Sequence, residues 1–139
     1  YENVWPTIEG IELALDAIGR DRCGDLKVIR IDHWEMIRPA TLARVFPNGY
    51  PGIELEHASV LETSMMLALR PELVDLSQAL HDGPAAFLPY DRYPKPPAEV
   101  PASGVLSLTE GSSAEKGGWL LKDCEDGIVD IVNREFFAQ

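Results

Sequence analysis

The sequence is short of positive charge, of cysteine and of long apolar runs. Twelve Lys and Arg stand against 23 Asp and Glu, a formal net charge of −11. Polyanions need a cationic face whose contacts release bound counterions, so this balance argues against nucleic acid and anionic membrane as partners. No run of about 18 apolar residues occurs, and the chain does not open with the basic, apolar and small-residue segments of a secretory signal, so a cytoplasmic protein is expected. Its two cysteines, Cys23 and Cys124, lack C-x-x-C spacing. Neither a disulfide framework nor a thiolate metal site is expected from them, and both read as small buried hydrophobes. Internal repeats and low-complexity tracts are also missing.

What remains is 139 residues, 45% of them apolar, enough for the core of one small domain. The acidic excess reads first as a solvated surface that keeps the protein soluble, and it also suits a cationic substrate or divalent metals. Val4, Ile8, Ile11, Leu15 and Ile18 recur at helical spacing up to Gly19. "LKVIRI" at 26–31 has the β-branched content of a buried strand, with His33 and Trp34 just past its carboxyl end, where open α/β sheets place ligand-binding residues. Pro39 can open a short helix over "ATLARVF", and "PNGYPG" at 47–52 is a turn-forming loop. From Ser59 the pattern is helical again, with Ser59 and Glu62 in the capping-box relation and Pro71 near its end. Six prolines between 82 and 104 exclude helix and central strand there, so this segment must wrap as an arm over its own domain or a neighbouring subunit. A last helix is expected from about Ser113, on the period of Leu120, Leu121, Cys124, Ile128, Ile131, Val132 and Glu135. The expected fold class is α/β. One strand cannot make a sheet, so the chain is expected to be a C-terminal portion of a larger domain.

Few residues are placed for chemistry. His57 precedes a helix start, beside Glu56 and with Glu62 able to turn back toward it; an imidazole there suits proton transfer near neutral pH, or simply caps the helix. Glu2, in the loop entering the first helix, is a candidate metal ligand, or an acid that favours the helix dipole. Trp34 can wall a pocket for a small flat ligand or pack in the core. His33 has only its strand-end position in its favour, and His81 sits in a turn.

Several stretches together resemble the creatininase (creatinine amidohydrolase) family: "YEN" at 1–3, "EGIELAL" at 9–15, "HW" at 33–34, "LEHASVLETSMMLALRPELVDL" at 55–76 and "PYDRYP" at 89–94. The block from Glu56 to Pro71, E-H-x-x-x-x-E-T-S-x-x-L-A-L-x-P, carries most of the likeness. The resemblance implies a layered α/β domain with a mostly parallel sheet, of which residues 1–139 form the C-terminal half. It also implies a hydrolase with two divalent metals, zinc and manganese, that opens a small cyclic amide, creatinine to creatine in the name-giving case. Glu2 falls on a metal-binding glutamate, and the other ligands belong to positions that precede this sequence, supplied by the same precursor or a companion chain. His57 falls on the histidine that shuttles a proton between metal-activated water and the leaving nitrogen, with Glu62 orienting it or supporting the helix start. Tyr1, Trp34, Glu54 and Glu56 match substrate-pocket positions. The lid tryptophan of the family is Ile53 here, and Glu54 stands where an aspartate is usual; a flat ring loses a stacking partner by that change. The family's hexameric assembly is the expected oligomer. The alternatives are a relative acting on another C–N bond, such as a formamide or a peptide end, and a non-catalytic assembly subunit.

Overall fold

A computed structural model describes residues 3–90, 92–94, 96 and 99–138. They fall into two compact units, Tyr1–Ile31 and Asp32–Gln139.

The first unit is built on helix α1, Val4–Ile18. The periodic residues Val4, Ile8, Ile11 and Leu15 are half-buried along it, and none of its side chains is fully buried. Trp5 and Leu13 remain largely exposed. The backbone N–H of Gly19 closes the helix onto the carbonyls of Leu15 and Asp16, and Arg20 then pairs with Glu12 and Asp16. Cys23 follows a short turn of 3-10 helix, Arg20–Arg22, and is half-buried.

The expected strand at 26–31 does not form. Leu26 and Val28 are each 51% exposed, and the described residues contain helices, 3-10 turns and irregular backbone but no strand. The α/β class with a mostly parallel sheet is therefore corrected to a helical structure. The physical reason is that β-branched content favours extended backbone, whereas a strand exists only through ladder hydrogen bonds to a second extended segment, and none of residues 26–31 joins such a ladder.

In the second unit a 3-10 turn, His33–Met36, leads into α2, Pro39–Val45, which opens on proline as expected. Helix α3 spans Val60–Leu69 and α4 spans Ala114–Val132, running on into a wider π turn, Asn133–Phe137. Ile37, Val45, Val60, Leu61, Leu120 and Cys124 make the core. Cys124 is thus the buried hydrophobe expected of it, its thiol donating to the His33 carbonyl at 3.3 Å. Helices α3 and α4 touch almost backbone to backbone, since a Cβ on Gly117 would lie 1.9 Å from the Ser64 carbonyl oxygen. The Ser113 hydroxyl caps α4 by accepting from Lys116 N–H at 3.2 Å, and the Ser113 N–H donates to Ser64 Oγ at 3.2 Å. Asp123, 3% exposed on α4, accepts from the Arg38 N–H at 2.9 Å and from its guanidinium, fixing the start of α2. No helix among the described residues is long and apolar enough to cross a membrane.

Candidate active site

The site is built on the backbone between Tyr50 and α3. Gly52 sits at φ +109, a conformation that demands glycine, and the carboxylate of the exposed Glu54 side chain lies where a Cβ would stand, 2.5 Å from it. The chain then makes a 3-10 turn, Ile53–Leu55, and passes through Glu56, His57, Ala58 and Ser59 into α3.

Side chains alternate in and out along this short run. Glu54 and His57 are exposed, while Glu56 is 7% exposed and Ser59 fully buried. One oxygen of Glu56 accepts the Leu61 N–H at 2.9 Å, where a helix start has no internal acceptor of its own. The other, Oε1, is buried without a partner. Burial pushes this carboxyl up to about 7, opposed by the Leu61 hydrogen bond and reinforced by the nearby charge of Glu62.

Ala58 takes the left-handed conformation, φ +53, which costs a residue with a Cβ on the order of 1 kcal/mol. Two side chains of α3 hold it there. Glu62 accepts the Ala58 N–H at 2.6 Å, and the Thr63 hydroxyl donates to the Ala58 carbonyl at 3.2 Å. The capping box expected from Ser59 and Glu62 is thus displaced by one residue: Glu62 turns back as expected but reaches Ala58, and Ser59 caps nothing. The Ser59 hydroxyl instead lies 2.9 Å from the Leu55 carbonyl and 3.1 Å from that of His57, and accepts the Ser107 N–H at 3.0 Å.

Trp34 and Ile53, the expected pocket wall and the residue at the lid position, share one cavity of about 240 Å³ with Glu35, Ile37, Leu42, Tyr50 and Leu61. Trp34 stands edge-on to His33, ring centroids 5.1 Å apart. His57, Glu54 and Glu56 are not in the lining of that cavity. His81 is in another, with Leu76, Ala79, Thr109, Glu110 and Gly111. Tyr1 and Glu2 lie outside the described residues. Among those described, no three His, Cys, Asp or Glu side chains converge as a metal site needs, so they do not by themselves fit a metal centre.

The residues that sequence reasoning missed are Ala58, Thr63 and Ser107. An alanine carries no sign of a left-handed conformation, and Ser107 meets Ser59 only through the return of the arm.

Comparison with known proteins agrees with this layout. The model of the creatininase (creatinine amidohydrolase) family matches residues 12–132. Creatinine amidohydrolase of Pseudomonas putida is 42% identical over 137 residues, 98% of this chain and 53% of that protein. A structure of manganese creatininase superposes with a TM-score of 0.92 at 42% identity, over 99% of this chain and 54% of its own. A mutant creatininase complexed with creatine superposes at 0.86, also at 42% identity, over 94% of this chain and 52% of that one. The chain belongs to the creatininase family. It spans about half the length of these relatives.

Proposed function

We infer that this chain forms the C-terminal half of one creatininase-type hydrolase domain, which opens a small cyclic amide such as creatinine by adding water across the C–N bond. The observation that carries this reading is 42% identity with a creatinine amidohydrolase, sustained over 98% of the chain. His57 is the proton carrier: its ring is exposed on a loop whose flanking backbone is tied down. As water adds to the carbonyl, the imidazole takes the proton that water gives up, then returns it to the ring nitrogen as the C–N bond breaks. The products are a carboxylate and an amine within one open chain. Tyr1, Trp34, Glu54 and Glu56 contact the substrate, the acids meeting its guanidinium-like part. The unpartnered Oε1 of Glu56 supports that role, because a buried acceptor without a partner is costly unless a ligand satisfies it.

Two divalent metals, zinc and manganese, belong to this reading, with Glu2 as the ligand from this chain and the others from residues beyond it. A hexamer in the cytoplasm is the proposed state. Ile53 in place of an aromatic lid, lining the cavity with Trp34, favours a substrate that needs only one stacking face, which keeps a relative of creatinine or another C–N substrate as the second reading.

The test is turnover of creatinine by the active enzyme that contains this chain. His57→Ala should lower kcat by about 100-fold or more while metal content is unchanged. Full turnover in that variant removes the proposal.

A further inference from the structure

We propose that the segment leaving the proline-rich arm, Leu106 and Ser107, is a positioning device for His57, acting through the buried hydroxyl of Ser59. The inference rests on His57 being the proton carrier.

The arm returns onto its own chain. Its two limbs are tied together where Ser103 donates to Asp82 through both its N–H, at 3.0 Å, and its hydroxyl, at 2.6 Å. Further along, Ala85 N–H donates to the Leu106 carbonyl at 2.8 Å. The second limb then meets the catalytic loop at two adjacent points: Leu106 N–H donates to the His57 carbonyl at 3.1 Å, and Ser107 N–H donates to Ser59 Oγ at 3.0 Å. Ser59 is fully buried, and its hydroxyl oxygen lies within hydrogen-bond distance of the carbonyls of both Leu55 and His57. One side chain thus joins the arm to both ends of the turn that presents the imidazole.

Position matters because the turn is strained. Ala58 holds φ +53 only while its neighbours insist on it, and a relaxed turn would re-aim the residue before it. On the α3 side Glu62 and Thr63 supply that insistence. On the other side the only described groups that bond the His57 carbonyl are Leu106 and Ser59. The arm therefore sets the direction of the ring without touching substrate.

Two variants approach the contact from opposite sides in the active enzyme. Ser59→Ala removes the acceptor of the Ser107 N–H. Gly83→Ala places a Cβ 2.5 Å from the Ser107 carbonyl oxygen and pushes that segment away while leaving the loop's own sequence intact. Both should lower kcat about 10-fold to 100-fold with KM little changed, since a misplacement of about 1 Å costs this much. Amide exchange should quicken at Leu106 and Ser107 and stay unchanged along α4, which separates a loosened loop from general unfolding. Parent-like kcat in both variants, or a loss that tracks the fraction of unfolded protein, overturns the proposal. If His57→Ala also turns over normally, the proton-carrier reading falls with it; if His57→Ala is inactive while both variants work, only the positioning role is lost.

Discussion

Helices α1 and α4 both carry an apolar stripe at helical spacing, yet they end in opposite physical situations. Among the described residues up to Ile31 none is fully buried, whereas Leu120 in α4 is 0% exposed and Gly117 lies against the backbone of α3. An apolar stripe selects the helix, but only a neighbour shaped to receive it turns the stripe into a core. Stability is accordingly expected to concentrate in the second unit, and matched substitutions in the two helices should separate them.

The largest contrast comes from glycine to alanine. In α1 nothing lies within 4 Å of a Cβ on Gly10, so Gly10→Ala gains helix propensity and should stabilise by about 0.5 to 1 kcal/mol. In α4 the same change at Gly117 drives a methyl group into the Ser64 carbonyl and Ala68, and should destabilise by about 3 kcal/mol as the helices are forced apart. Thermal unfolding of the two variants checks both signs; equal shifts would erase the distinction. A smaller contrast comes from the ion pairs. Burial would raise the Asp123 carboxyl, but hydrogen bonds from the Arg38 side chain, from Thr41 and from the Arg38 N–H, with the Arg38 charge, together hold it down to about 2. Asp123→Ala should cost about 2 kcal/mol, because the Arg38 N–H and guanidinium lose their acceptor. Since that carboxyl titrates below its ordinary value, its contribution is complete above about pH 4 and fades as pH falls toward 2. Glu12→Ala on α1 breaks a pair exposed on both sides and should leave Tm almost unmoved.

The same contrast decides what the sequence reveals. Properties carried by one segment were legible: α1 closing near Gly19, proline opening α2, Ser113 capping α4, and a histidine set just before α3. Properties that need a second segment were not. "LKVIRI" announces extended backbone, but pairing depends on what lies beside it. The proline-rich segment announces an arm, but its landing place on His57 and Ser59 is a long-range choice made by backbone groups, which carry no sequence signature. The S-x-x-E pattern at Ser59 and Glu62 marked the helix start correctly and misassigned both partners, because Ala58 takes up the N–H bond that the pattern allots to Ser59. At the site, the family motif picks out His57 and Glu56 by position, while their opposite exposures become visible only in three dimensions.

Glu56 gives an effect that only pH reveals. Its folded carboxyl titrates near 7, against about 4.5 for an ordinary glutamate, because burial penalises the charge. Between those values the folded protein keeps a proton that the unfolded chain releases, so stability falls as pH rises. The contribution is whole below about 4.5 and is lost as pH passes through 7. Glu56→Gln keeps an oxygen for the Leu61 N–H and cannot ionise, so its stability should not share that decline. Relative to the parent, the variant should gain on the order of 2 kcal/mol between pH 5 and pH 8, read as a difference in Tm that grows with pH. A difference that is the same at both pH values would mean that the carboxylate is solvated in the folded protein, and the inward-facing Glu56 would then lose its distinction from the exposed acids of α1.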